Sequence, residues 1–331
     1  MSRPGWHGLR LCEGRGFPGH ALPQSRQSVP PEPIDAIEGL EMPTAQIPRT
    51  IFKYHSLSMQ SIMNLKRHVV YFGSPSSFND PFDCALFPRF SELTEIEANA
   101  VCAKMISAPG FPEEKRTELL AMPQAEWMEM IKRFTASGVA DSIVAFNQHR
   151  GVTCFSECND NMLMWSHYGG QHRGFCLEFK TQYEPFSKLR QVRYSQEMPE
   201  LDLRMMLIER DFDPLIEELF CTKSIDWAYE REWRAMHVEA SKEYTYTGDA
   251  LSAVYFGAKM TKQEIDTVAL IVSVQDPGVK MYQGRKSESA FRIEFDEVKY
   301  TTIDEARRQG QDIGTQFGDA AEDRREREGR P

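Results

Sequence analysis

The sequence predicts an α+β fold: a mixed, mostly antiparallel sheet core carrying helical insertions. Three observations predict it. Strand-like runs lie at both ends of the central chain, helix-period apolar positions fill the stretches between them, and no GxGxxG follows a strand to mark a dinucleotide-binding parallel sheet.

Taken in order, residues 1–42 are crowded with Gly, Pro, Arg and Ser and show neither period, so a disordered extension is expected there. Met42 stands just before the first structured signal and is a candidate start. A single domain is expected over 43–303. It opens with Thr50–His55 as a strand, Ser56 as a helix cap, 60–66 as a short helix and His68–Phe72 as a second strand. Helical inserts follow near 91–149, broken around Pro109–Pro112 and at Pro123, and again near 197–222. Between them lie a strand at Gly151–Ser156, a helix around Met162–Tyr168 and a strand at Gly174–Phe179. The last third reads as mostly strand, at 232–238, 253–256, 267–274 and 291–295, with one short helix. From 304 to 331 opposite charges crowd together with few large apolar residues, as in a charged disordered tail.

The composition narrows the classes of function. Of 331 residues, 41% are hydrophobic, enough for a real core, and no run approaches the eighteen or so apolar residues of a membrane helix. The N-terminus has no apolar stretch of signal-peptide length, and no membrane association is expected. Seven scattered cysteines read as buried thiols in a reducing compartment, so a cytoplasmic location without structural disulfides is expected. The formal net charge of −10 argues against a broad nucleic-acid footprint, because that affinity comes from cations displacing phosphate counterions.

Walker, GxGxxG, HExxH and GxSxG motifs are missing, which weakens nucleotide hydrolysis, Rossmann hydride transfer and zinc proteolysis. Cys154-x3-Cys158-x8-His167-x4-His172 loosely resembles zinc spacing. Its spacer is shorter than in the usual finger and holds Met162, Leu163, Met164 and Trp165, so buried cysteines beside a core helix are preferred and no metal is expected.

Three segments stand out. In Lys53-Tyr-His55 and Tyr71-Phe-Gly-Ser-Pro-Ser-Ser-Phe-Asn-Asp-Pro-Phe-Asp83, polar and aromatic residues occupy a strand end and the loop after it, where sites often form. Asn79, Asp80 and Asp83 are candidates there, although turns around Pro81 would use the same side chains. In the second segment a helix buries Met162 and Trp165, places His167 and Tyr168 close by, and leads through Gly169-Gly170 to His172 and Arg173. The third, Lys223-x3-Trp227-Ala-Tyr-Glu230-Arg-Glu232-Trp-Arg234, would set Glu230, Glu232 and Arg234 on one face of an extended strand, as a surface ladder or as an acid/base or ribose-binding pair.

In this order the motifs resemble the bacterial domain of unknown function family 2971 over about residues 50–260. More weakly, they resemble the ADP-ribosyltransferase superfamily, whose His-Tyr-Glu branch places its triad on three strands. That likeness implies an ADP-ribosyltransferase-like sheet with His55, Tyr71 and Glu232 as the triad. Tyr71 would stack on nicotinamide, His55 would hold the adenosine-side ribose, Glu232 would stabilise an oxocarbenium-like transition state and Glu230 would orient the acceptor. Asn79, Asp80, Trp165, His167, Tyr168, His172, Arg173 and Arg234 would line the substrate site. The resemblance thus implies NAD as substrate and a protein or nucleic-acid acceptor, in the setting of a toxin or phage-defence effector. Two alternatives remain open: a nucleotide-sensing or interaction domain without catalysis, and a metal-independent nuclease using His55, His167 or His172.

Overall fold

The computed structural model describes residues 46–84, 86–209 and 213–310. The extension expected at 1–42, with its candidate start Met42, and the tail beyond 310 lie outside the described residues. The described chain divides into two compact units, one of them formed by 93–133 and the other by the residues on either side, with the boundary inside one long helix.

The helices are α1 (Met59–Lys66), α2 (Glu95–Ile106), α3 (Glu113–Ala121), α4 (Gln124–His149), α5 (Met162–His167), α6 (Asp213–Phe220), α7 (Lys262–Gln275) and α8 (Ile303–Arg308). In the smaller unit Thr94 and Glu97 close a reciprocal cap on α2, satisfying two amides that the first turn would leave unpaired. Ala98, Val101, Trp127 and Ile131 are buried, and the Trp127 indole donates to the Ala98 carbonyl at 3.3 Å.

The larger unit is built on an eight-stranded sheet of β1 (Thr50–His55), β2 (Gly151–Ser156), β3 (Phe175–Lys180), β4 (Arg190–Gln191), β5 (Glu232–His237), β6 (Leu251–Phe256), β7 (Lys280–Lys286) and β8 (Ile293–Glu297). Their order is β8-β7-β6-β3-β1-β2-β5-β4. Every neighbouring pair is antiparallel except β6 with β7, which run parallel because α7 carries the chain back across the sheet between them. The mixed, mostly antiparallel α+β core expected from the sequence is therefore present.

Period-two alternation sends Ile51, Phe155, Phe175, Leu177, Trp233, Val254 and Phe256 to one face, where they pack with Leu65 of α1 and Val268, Ala269 and Val272 of α7. On the opposite face Val152, Cys154 and Met236 meet Val139 and Phe146 of α4 and Leu219 and Phe220 of α6. Further along that face Phe52, Tyr54 and Cys176 meet Trp165 of α5. Among the described residues no helix is long and apolar enough to cross a membrane.

Several elements differ from expectation. The cap of α1 is Ser58, whose hydroxyl accepts from the Ser61 amide, and not Ser56. The run 267–274 is helical: Thr261 and Glu264 form a capping box, and Val268, Ala269 and Val272 fall on one helical stripe, which outweighs the β-branched composition that suggested a strand. Among the described residues of 197–222 there is one α-helix, α6, beside a π turn at Met205–Glu209 and short strands at Glu200–Leu201 and Thr222–Ser224. A helix also crosses the expected start of the tail, since α8 spans Ile303–Arg308 and buries Ala306 completely.

Candidate functional site

The site begins where β5 does. Residues Ile225–Glu230 form a tight 3-10 segment that ends because Arg231 adopts a left-handed conformation (φ 44°), and the extended strand starts only at Glu232. Glu232 and Arg234 then share a strand face as period two requires, and Trp233 points into the opposite core. Glu230 is not part of that ladder. It is brought beside Glu232 by the turn, and both carboxylates meet one ammonium, that of Lys223, at 2.6 Å and 3.3 Å.

Lys223 comes from the short strand Thr222–Ser224, which pairs in parallel with Arg193–Ser195. A third carboxylate arrives on the loop 74–84, from which Asp83 reaches Lys223 at 3.3 Å and Arg234 at 2.7 Å. Arg234, fully buried, also bonds Glu232 through Nε at 2.7 Å and donates through Nη1 to the Phe220 carbonyl at 2.8 Å. The Glu232 backbone N–H donates to the Tyr194 hydroxyl at 2.8 Å. The cluster holds three acids and two bases, all side chains at most 4% exposed, so it carries one carboxyl group more than its cations can neutralise.

The two neighbouring glutamates respond in opposite directions. Burial would raise the Glu232 carboxyl, but the Arg234 and Lys223 charges outweigh it and hold the group down at about 2. Burial raises Glu230, the adjacent Glu232 charge raises it further, and Lys223 and Tyr168 only partly offset this. Burial likewise opposes the Lys223 charge, yet the three surrounding carboxylates push its pKa up.

Helix α5 supplies the outer wall. Asn161 caps it, its Oδ1 accepting from the amides of Leu163 and Met164, and its Nδ2 donates to the Tyr229 carbonyl at 3.2 Å, which ties helix and 3-10 segment together. Tyr168, at the end of α5, donates its hydroxyl to Glu230 Oε1 at 2.6 Å, and the Asn79 side chain lies near the same hydroxyl. Around this pair His167, Trp227 and Tyr229 place their ring centres 6.0–6.4 Å from one another, and Lys223 lies 4.9 Å from the Trp227 ring centre. The result is a half-exposed aromatic rim above a buried ionic floor.

Glu230, Glu232, Arg234, Tyr168, His167 and Asn79 are thus gathered, and the other candidates lie elsewhere. Phe52 pairs with Ser156 and Ser156 with Glu232, so these three share a face; His55, three residues on from Phe52, points to the opposite one. There it stacks on Phe175 with centres 5.3 Å apart, and burial followed by the Lys53 charge lowers its pKa to about 3. Tyr71 is exposed on a separate two-stranded sheet opposite Glu243. Gly73, which follows that strand, bridges to Val152, four residues or roughly 13 Å of extended chain from Ser156 beside Glu232. His55, Tyr71 and Glu232 are therefore not brought to one point.

Trp165 is fully buried, with its indole donating to the Asn159 carbonyl. Asp80 accepts from the Phe82 amide at 2.9 Å, closing the turn around Pro81. The His172 ring bonds the Ser166 hydroxyl at 3.1 Å, and Arg173 opens onto a different cleft. The cysteines and histidines of the zinc-like spacing keep different surroundings among the described residues: Cys154 lies opposite Arg234 on the sheet, the Cys158 thiol lies 3.6 Å from the Ser156 hydroxyl, His167 stands on the rim and His172 beside Ser166.

Sequence reasoning named Asp83 beside a turn around Pro81 but not as a partner of Arg234, and it placed Lys223, Trp227 and Tyr229 in the third segment without giving them a role. Lys223 carried a usable signal, a lone cation eight residues or so ahead of an acidic pair in an aromatic stretch; Asp83 carried none, because its partner Arg234 is 151 positions away.

Residues 164–235 match the family model described as "Protein of unknown function (DUF2971)". The matched stretch runs from α5 into β5 and contains Tyr168, Lys223, Trp227, Tyr229, Glu230, Glu232 and Arg234. No curated protein and no solved structure matches the chain, so the comparisons lend no support to the ADP-ribosyltransferase resemblance.

Proposed function

We propose that this chain binds a nucleoside or nucleotide at the rim formed by α5 and Ile225–Glu230. The Tyr168–Glu230 pair carries the reading: a 2.6 Å hydrogen bond at the mouth of a buried cluster that holds one surplus carboxyl group, ringed by His167, Trp227 and Tyr229. Such a carboxyl group favours a ligand that brings hydrogen-bond donors, as the two hydroxyls of a ribose do, and the aromatic rings offer stacking surfaces for a base.

A second reading, NAD cleavage with transfer of ADP-ribose to a macromolecular acceptor, is favoured by the opposite pKa displacement of the two glutamates. In that reading Glu230 takes the chemical role, because the Glu232 charge is already committed to Arg234 and Lys223. A histidine-based nuclease gains nothing comparable: His55, His167 and His172 occupy three different surroundings.

Calorimetric titration of the full chain with adenosine, AMP and NAD tests the proposal. The expected result is saturable binding of adenosine that Trp227→Ala weakens by about fivefold to a hundredfold, the range of one lost base-stacking contact. Tyr168→Phe should weaken it as well. Failure of all three ligands to bind would overturn the reading. Nicotinamide release from bound NAD, abolished by Glu230→Gln, would establish the transferase or hydrolase form; binding without release would establish a sensor.

A further inference from the structure

We propose that a second cleft, lined by Arg173 and Lys259, binds a small phosphorylated organic molecule. The cleft has a volume of about 590 Å3, within the range of small-molecule sites, and lies between α1, the 169–174 turn and the start of α7. Its wall from the α1 side is apolar, formed by Leu57 and Ile62; the facing side carries Arg173, Lys259 and Thr261.

The backbone builds this arrangement. Gly170, Gln171 and His172 all have positive φ, and the Arg173 amide donates back to the Gly170 carbonyl at 3.1 Å, so the chain turns sharply just where Arg173 projects. The turn sits tightly on the sheet: a Cβ on Gly174 would overlap the His55 carbonyl oxygen. The Lys259 amide donates to the His172 carbonyl at 2.8 Å, which sets the two cationic residues on adjoining stretches of backbone.

Arg173 and Lys259 are both exposed, and neither side chain has an ion-pair partner among the described residues. Glu264 is the acid among the lining residues, and its carboxylate accepts the Thr261 amide in the capping box of α7. Two cations against one carboxylate, beside an apolar wall, fit an anion joined to a carbon skeleton. A phosphate monoester suits them best, because its three acceptor oxygens can engage a guanidinium and an ammonium together. The end of α7 adds the positive pole of its dipole, although its capping box already occupies the Thr261 and Glu264 amides, so the two side chains carry the binding.

Titration of the full chain with phenyl phosphate and with inorganic phosphate tests the assignment. Phenyl phosphate should bind once per chain and at least about tenfold more tightly than inorganic phosphate, a difference of one apolar contact surface. Arg173→Ala and Lys259→Ala should each weaken it about tenfold or more, and raised salt should weaken it in the wild type. Ile62→Ala should narrow the gap between ester and free phosphate, whereas Trp227→Ala should leave binding unchanged. Equal affinity for the two anions, indifference to both charge removals, sensitivity to Trp227→Ala, or no saturable binding would each overturn the proposal.

Discussion

At the scale of single residues, Glu230 and Glu232 show how two identical side chains two positions apart acquire different work. Glu232 is clamped by Arg234 through two nitrogens and neutralised further by Lys223, so its role is to hold the start of β5. Removing one partner from such a buried ionic group leaves the others uncompensated, and Glu232→Gln should cost about 3 to 5 kcal/mol. The pH dependence follows from the same contacts. The Glu232 carboxyl lies at about 2 when folded against an ordinary 4.5, so its contribution is whole above pH 4.5 and is lost as pH falls toward 2. Glu230 works in the other direction, since a raised carboxyl favours folding below its ordinary pKa and loses that contribution as pH rises through the folded value. Thermal melts of wild type and Glu232→Gln between pH 7 and 2 check the Glu232 sign: the variant should start lower and decline less between pH 4.5 and 2. Parallel curves would mean that the charge on Glu232 is not what stabilises the fold.

At the scale of elements, α5 is a six-residue helix, too short to persist alone, and it is held by what it touches. Trp165 anchors it in the sheet against Tyr54, whose ring centre is 5.2 Å away, and Asn161 fastens its first turn to the Tyr229 carbonyl. The same asparagine therefore stabilises the helix and ties it to the segment that carries Trp227 and Tyr229. Asn161→Ala should cost about 2 kcal/mol, one part from the lost cap and one from the lost bond to Tyr229. Because the rim loosens with it, adenosine binding should weaken in the same variant. A melt that drops with binding intact would separate the helix cap from the site.

At the scale of the whole chain, the larger unit closes through its C-terminal part. Val298 and Tyr300 pack against the main core, the Tyr300 hydroxyl donates to Asp266 of α7 at 2.9 Å, and Thr302 caps α8, whose Ala306 is fully buried. A chain ending at Thr302 should accordingly melt below one ending at Gly310, by about 1 kcal/mol or more for the lost burial and cap. Equal melting temperatures would show that α8 adds nothing to stability and that the core is complete by 302.

The sequence by itself determined the class of fold and the segments that carry polar chemistry. Period-two runs such as Thr50–His55 and Gly151–Ser156, and the cluster from Lys223 to Arg234, are local patterns, and a local pattern is fully written in neighbouring residues. Where local preference and capping disagreed, at 267–274, the β-branched composition misled and the Thr261–Glu264 box decided for a helix. Only the tertiary structure decided which polar residues meet. Face assignment across β1, β2 and β5 depends on register, and that register separates His55 from Glu232 although both lie at strand ends. The left-handed Arg231 takes Glu230 out of the strand ladder, and the loop after the strand Val69–Phe72 delivers Asp83 to Arg234 across 151 positions. Ion-pair partners so distant in sequence are chosen by the path of the chain through space, and no spacing rule along the chain records that choice.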